Sequence, residues 1–124
     1  MKFTLGEIRG LEESLVKIMN KEIPVKAAYK LGKFLKKVSK ELVTIEEQRI
    51  SLVKKYSKGE NEKGDFQVLS EKENDFRKEF VELLQTEVNI DVQTVSIEDF
   101  GDISLSPVDL MKLDKIVVSE ENKE

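Results

Sequence analysis

The sequence predicts an α+β fold, built as a long antiparallel helical hairpin with a small antiparallel β element and two shorter helices. Three observations lead to this prediction: a four-heptad repeat of apolar residues in the first half, three helix-capping patterns, and a short stretch of strict alternation in the second half. With 124 residues the chain is long enough for one domain with one core. We therefore expect a single domain over 1–124, with a helical hairpin over 1–58, a mixed part over 59–118 and a frayed tail over 119–124.

The first helix is predicted from a capping box. Thr4 supplies a hydroxyl and Glu7 an acid three residues later, the pair that satisfies free N–H groups at a helix start. Apolar residues then recur every three or four positions: Leu5, Ile8, Leu11, Leu15 and Ile18. We expect a helix from about Leu5 to Asn20. Pro24 suits the first turn of the next helix, because the N–H that proline lacks would be unbonded there.

The second helix, predicted from Pro24 to about Tyr56, is the dominant element. Its seam has the 3-4-3-4 spacing typical of a coiled coil: Ala28, Leu31, Leu35, Val38, Leu42, Ile45, Arg49, Leu52 and Tyr56. At 1.5 Å per residue the helix is about 50 Å long, and the first helix reaches along only half of it. The other half needs cover from the C-terminal part of the chain or from a second copy, and we expect a homo-oligomer.

Arg49 is the one charged residue in that seam. Its alkyl stem can pack while its guanidinium reaches solvent or pairs with a nearby glutamate. Alternatively, Arg49 sets the helix register or faces a bound anion in an oligomer. The sequence leaves both interpretations open.

The second half of the chain begins with a polar, glycine-containing stretch at 57–65, which we interpret as a loop between the halves. Residues 66–69 form a short candidate strand. Ser70 and Glu73 repeat the capping-box pattern, which predicts a helix to about Glu87.

Apolar residues then alternate strictly and predict a half-buried strand: Val88, Ile90 and Val92. The alternation slips by one residue at Gln93 and Thr94, so we expect a bulge or bend there. Ser106 and Pro107 have the residue types of an N-cap and a first helical position. They predict a last helix that ends near Val118.

The charge of the chain is divided between its two halves. Residues 1–58 contain 14 Lys and Arg against 7 Asp and Glu, a net charge of +7, whereas residues 59–124 contain 7 against 18, a net charge of −11. The basic half therefore either holds an anion or attracts the acidic half of another copy. The acidic half would repel a nucleic-acid duplex, which argues against nucleic acid as a partner.

A row of lysines lies along one face of the second helix, because its 4-3-4-3 spacing keeps the residues on the same side: Lys26, Lys30, Lys33, Lys37 and Lys40, with Lys36 beside them. No Asp or Glu occurs over 25–40, so none of these lysines has an acidic i,i+4 partner within that stretch. The row is either a solvated face or an anion-binding face, and Tyr29 within it either packs or stacks on a base. The candidate ligand-binding residues are Lys26, Tyr29, Lys30, Lys33 and Arg49.

The chain contains no histidine and no cysteine. This excludes Ser-His and Cys-His nucleophile pairs, imidazole bases, disulfides and soft zinc sites. The phosphate-binding glycine motifs are also absent, so we predict a protein that is not an enzyme and uses no cofactor. We assign the carboxylates of Glu98, Asp99, Asp102 and Asp109 to turns and helix capping, and predict no metal site. Because no apolar run is long enough to span a bilayer and the first residues lack a secretion signal, we expect the cytoplasm and no membrane partner.

Short runs of sequence spread along most of the chain form one combination: IPVKAAYKLGK at 23–33, EL at 41–42, EEQR at 46–49, EVNIDV at 87–92, FGDI at 100–103 and SP at 106–107. In this combination the chain resembles small uncharacterised proteins of bacteriophages and prophages. The resemblance implies a short phage-encoded accessory protein. Such proteins block a host defence, assist virion assembly or bind a host enzyme.

Together, these observations favour a non-enzymatic phage accessory protein that acts against a host defence. It would bind and sequester an anionic nucleotide-type signal as a homo-oligomer. The alternative is a coiled-coil protein that interacts with a host or phage protein, such as a virion-assembly chaperone.

Overall fold

The computed structural model describes residues 1–119, within which four α-helices and six short strands are present. The helices are α1 (Leu5–Met19), α2 (Val25–Lys55), α3 (Glu73–Leu84) and α4 (Pro107–Lys112). The strands are β1 (Lys2–Thr4), β2 (Ser57–Glu60), β3 (Phe66–Val68), β4 (Glu87–Asn89), β5 (Val95–Ser96) and β6 (Val117–Val118). Of the tail predicted over 119–124, residues 120–124 lie outside the described part.

The α+β class is confirmed, and the strands form three separate two-stranded sheets rather than one β element. Strand β1 pairs antiparallel with β4, so that Phe3 lies opposite Val88. Strands β2 and β3 form an antiparallel hairpin. Strands β5 and β6 are parallel, with Val95 opposite Val117, and this pair is an addition to the small antiparallel β element that the sequence predicts.

Helix α1 begins where its capping box predicts. The Thr4 hydroxyl accepts a hydrogen bond from the Glu7 backbone N–H at 3.1 Å, and the Glu7 carboxylate accepts one from the Thr4 N–H at 3.0 Å. All five apolar residues of the predicted stripe are buried. Helix α1 packs against the first half of α2 to form the helical hairpin, and Met19 lies beside Gly32.

Helix α2 is as long as predicted, but its buried face is rotated relative to the predicted seam. Its buried residues are Ala27, Leu31, Phe34, Val38 and Ile45. The predicted seam residues Ala28 and Leu35 are only partly buried. The rotation follows from Phe34, whose ring centroid lies 5.7 Å from that of Phe3 in β1, a strand that the sequence did not predict.

The second half of α2 extends past α1 and is covered by α3 and by the β2–β3 hairpin. The Tyr56 hydroxyl donates to the Glu79 carboxylate at 2.6 Å, and the Lys55 ammonium lies 2.7 Å from the same oxygen. The Leu69 N–H donates to the Tyr56 carbonyl at 3.0 Å. Of the two sources of cover that the sequence left open, the C-terminal part of the same chain supplies one, and assembly with a second copy stays a prediction.

The helix predicted to open at Ser70 and run to Glu87 is wrong at both ends. Ser70–Lys72 form a 3₁₀ turn, and Lys72 is the N-cap of α3 without a side-chain hydrogen bond to it. The helix ends at Leu84 because Glu87–Asn89 are extended and pair with β1. The polar stretch predicted as a loop at 57–65 also contains a strand, β2, whose side chains are mostly exposed and so carry no apolar pattern.

Helix α4 begins as predicted and ends earlier. The Ser106 hydroxyl accepts a hydrogen bond from the Asp109 N–H at 3.1 Å. The helix ends at Lys112 rather than near Val118, and the chain then turns so that Leu113 and Ile116 both enter the core.

One hydrophobic cluster contains residues from both parts of the chain, from Phe3 in β1 to Ile116 before β6. The cluster holds the segment between β4 and β5 against the first half of α2, which is where the lysine row lies. Among the helices of residues 1–119, none combines the length and the apolar character that a membrane span requires.

Candidate functional site

The lysine row lies on the face of α2 that borders the segment between β4 and β5, which we name the 91–94 loop (Asp91–Thr94). The Lys30 ammonium donates a hydrogen bond to the Thr94 carbonyl at 3.2 Å, and the Lys37 ammonium donates to the Asp91 carbonyl. These two residues are seven apart, so they lie on the same face of the helix two turns from each other. The loop is therefore held to α2 at both of its ends by lysines.

Lys33 and Tyr29 lie one turn apart on the same surface. Tyr29 is 60% exposed, and the Lys33 ammonium lies 4.9 Å from the centre of its ring, within the range of a cation–π contact. The structure thus leaves the ring of Tyr29 open to solvent, which removes core packing as an explanation for this residue. Lys26 lies exposed one turn nearer the start of α2.

A cavity of about 120 Å³ lies between α2 and the 91–94 loop. It is lined by Lys30, Lys33, Phe34, Lys37, Asp91, Val92 and Gln93. The polar groups of three lysines and one amide surround it, while Phe34 and Val92 supply apolar surface. Ammonium groups next to apolar surface interact with anions more strongly than they do in open water, because the local dielectric constant is lower.

The charge around this cavity is unbalanced. The ion pairs found among residues 1–119 use Lys17, Arg49, Lys55 and Lys115, and none of them uses a lysine of the row. Asp91 is the one carboxylate among the residues that line the cavity. Three ammonium groups against one carboxylate leave the cavity a net positive site.

Arg49 is not brought to this site. It lies sixteen residues beyond Lys33, about 24 Å along the helix axis. Its guanidinium makes two hydrogen bonds to the Glu46 carboxylate, at 3.0 Å from Nε and 2.6 Å from Nη2. The hydrogen bond to Arg49 lowers the pKa of Glu46, and the same bond raises the pKa of Arg49. Of the two interpretations left open by the sequence, pairing with a nearby glutamate is the one observed.

A second polar cluster joins α1 to α4. The buried Ser14 hydroxyl donates to the Asp109 carboxylate at 2.6 Å, and the Lys17 ammonium lies 3.8 Å from the same oxygen. Hydrogen bonds from Ser14 and Ser106, in that order, lower the pKa of Asp109. Because Ser14 is fully buried and its hydroxyl is bonded to Asp109, we interpret this cluster as a fastening between two helices. Within residues 1–119, no three carboxylates come together as ligands for a metal ion.

From the sequence, Lys30, Lys33 and Tyr29 are candidate residues, but the 91–94 loop beside them is not predicted. Asp91, Gln93 and the carbonyl of Thr94 come from a segment more than 50 residues away along the chain. The one local signal was the slip of alternation at Gln93 and Thr94, which predicted a bend but no partner for it. The contribution of Lys37 to the same cavity was also missed.

Comparisons of the chain with protein-family models, with curated protein sequences and with solved structures found no match. The site is therefore interpreted from its own residues.

Proposed function

We propose that this protein is a non-enzymatic binder of anionic, nucleotide-type ligands and that it sequesters the ligand on the lysine face of α2. The observation that carries the proposal is the acid-free stretch over 25–40, in which three lysines border a cavity and none takes part in an ion pair within the described residues. Like charges at i,i+4 destabilise a helix by about 0.2–0.5 kcal/mol per pair. A bound anion would offset this repulsion.

Tyr29 extends the proposal from an anion to a nucleotide. Its ring is exposed beside Lys33, so a ligand with phosphate at the lysines has an aromatic surface within reach for its base. Stacking of a base on an aromatic side chain is worth about 1–3 kcal/mol. Lys26 and Lys33 would meet the phosphates, and Lys30 would do so with the N–H groups that the Thr94 carbonyl leaves free.

The biological role that we propose follows from the resemblance to small phage proteins. A phage accessory protein that holds a nucleotide signal in the host cytoplasm would keep that signal from the defence that it activates. Sequestration needs no chemistry on the ligand, which agrees with a chain that lacks histidine and cysteine.

The test is a thermal-shift screen of linear and cyclic nucleotides, followed by calorimetry on any ligand that stabilises the protein. At a hundredfold excess over Kd, a ligand that binds only the folded state adds about 2.7 kcal/mol of stability. The double variant Lys26→Gln/Lys33→Gln should lose this stabilisation. The control variant Lys58→Gln/Lys63→Gln removes the same two charges from the β2–β3 hairpin and should keep it. A flat screen would contradict the proposal.

A second candidate function, interaction with another protein or with a second copy, is favoured by the outer face of the second half of α2. Val43 and Ile50, seven residues apart, are 58% and 41% exposed, and Val53 and Phe66 lie next to Ile50 in a shallow groove. Apolar residues at heptad spacing on an exposed helix face are typical of a helix-packing surface. Light scattering after size exclusion should give twice the mass of the chain, and Val43→Ser/Ile50→Ser should return it to the monomer. A monomer at all concentrations would contradict self-association.

A further inference from the structure

We propose that the cavity between α2 and the 91–94 loop takes a single terminal phosphoryl group, so that the ligand is a phosphomonoester and not a cyclic or internal phosphodiester. The inference rests on the proposed function and narrows it from nucleotides in general to those with a free terminal phosphate.

The size of the cavity limits which part of a ligand can enter it. Its volume is about 120 Å³, whereas pockets that enclose a whole drug-sized ligand measure roughly 300–1,000 Å³. A complete nucleotide therefore cannot enter, but one compact group at the end of a ligand can. In a phosphodiester two of the four oxygens carry substituents, so the phosphorus cannot enter a cavity of this size without the atoms bonded on both sides.

The hydrogen-bond donors around the cavity favour a ligand group with several acceptor oxygens. An ammonium group has three N–H donors, and Lys30 and Lys37 each use one of theirs on a loop carbonyl. Lys30, Lys37, Lys33 and Gln93 all line the cavity, and the two carbonyl bonds fix the direction of two of these lysines. A terminal phosphoryl group offers three oxygen acceptors to such a set, and a diester offers two.

The net charge of the residues that line the cavity favours a ligand group with about two negative charges. Lys30, Lys33 and Lys37 bring three positive charges and Asp91 brings one negative charge, which leaves +2. A phosphomonoester carries about −1.5 to −2 at pH 7 and matches this charge, whereas a diester carries a single negative charge.

A matched pair of ligands tests the inference. Adenosine 5′-monophosphate and adenosine 3′,5′-cyclic monophosphate have the same base and sugar and differ in whether the phosphate is a free monoester or a closed diester. We expect the monoester to bind at least about fivefold more tightly in calorimetry, because one additional charge contact at about 4 Å is worth close to that factor even at the dielectric constant of water. Inorganic phosphate should compete with the monoester.

The outcomes separate the two proposals. If the cyclic diester binds as tightly as the monoester or more so, the inference is overturned while the proposed function stands. If neither ligand binds, and no other nucleotide does in the screen, the proposed function fails as well.

A second test uses a variant of Asp91 that should strengthen the binding of the ligand instead of weakening it. The variant Asp91→Asn removes the like charge beside the phosphate and should tighten binding of the monoester several-fold. The control Asp65→Asn removes a carboxylate from the exposed β2–β3 hairpin and should leave the affinity unchanged. Equal affinities of Asp91→Asn and the wild type would place the phosphate elsewhere on the lysine face and overturn the inference.

Discussion

The two halves of helix α2 differ in whether their charged side chains form ion pairs and in how many apolar side chains they bury. From Val25 to Lys40 no acidic residue occurs, the lysines donate to loop carbonyls or face solvent, and four side chains are almost completely buried. From Glu41 to Lys55, Arg49 pairs with Glu46 and Lys55 pairs with Glu79, and only Ile45 is buried to the same degree. Uncompensated charge therefore coincides with the strongest packing.

This coincidence has an energetic reason. Like-charged lysines on one helix face cost a few tenths of a kcal/mol per pair, whereas a fully buried apolar side chain contributes about 1.5–3 kcal/mol. The packing under the first half of α2 can therefore offset a row of unpaired lysines. The second half lacks this excess, and two of its cations, Arg49 and Lys55, are paired with carboxylates.

The largest effect should come from removing the same side chain from each half. Leu31 is completely buried and Leu52 only partly so. We expect Leu31→Ala to lower the free energy of unfolding by about 2–5 kcal/mol and Leu52→Ala by less than half as much. Urea denaturation followed by circular dichroism measures both. Equal losses would show that the two halves are packed equally well.

The next effect concerns the lysines that hold the 91–94 loop. Lys30→Met and Lys37→Met keep most of the apolar stem and remove the donor, so each should cost on the order of 0.5–1.5 kcal/mol, with the lower end expected at these exposed sites. Hydrogen exchange should quicken at residues around the loop. Lys36→Met serves as the control and should leave exchange unchanged, because the Lys36 ammonium makes no hydrogen bond or ion pair within residues 1–119.

A smaller effect should appear in acid, and within α2 it should come from the second half. Hydrogen bonds from Lys55 and then Tyr56 lower the pKa of Glu79, and Arg49 lowers that of Glu46. A carboxyl group with a lowered pKa stabilises the fold above its unfolded pKa of about 4.3 and loses this contribution as the pH falls through the folded value. Stability should therefore decline below about pH 4.3, and the decline should be shallower in Glu79→Gln. An unchanged slope in that variant would contradict the role of the pair.

The smallest effect should be a gain of stability. Lys36→Glu places an acid three residues after Lys33 and four before Lys40, so it replaces two repulsive pairs by attractive ones and should stabilise the protein by about 0.5 kcal/mol. Lys36 does not line the cavity, so binding of a phosphomonoester should change little. A loss of stability would indicate that the row is not self-repelling.

Sequence patterns predicted those parts of the fold that depend on local spacing. The capping box at Thr4 and Glu7, the N-cap at Ser106 and the length of α2 are all readable within a few residues. The rotation of α2 could not be predicted in this way, because it depends on the contact between Phe34 and Phe3 in β1. Strand β1 has only three residues, and its partner strand lies more than 80 residues away in the sequence. Half of the candidate site could not be predicted for the same reason. The spacing of the lysines is visible in the local sequence, but the carbonyls that two of them bind belong to a loop that is distant in the sequence.

The pairing of β1 with β4 also bears on how the protein is made. Strand β1 is synthesised some 80 residues before its partner β4, and the buried Ile116 comes later still. During translation, α1 and α2 would emerge from the ribosome before the segments that cover their apolar faces. Contacts between segments that are so distant in the sequence also form slowly. The segment from β4 to Ile116 thus closes the core only after α1 and α2 have been synthesised.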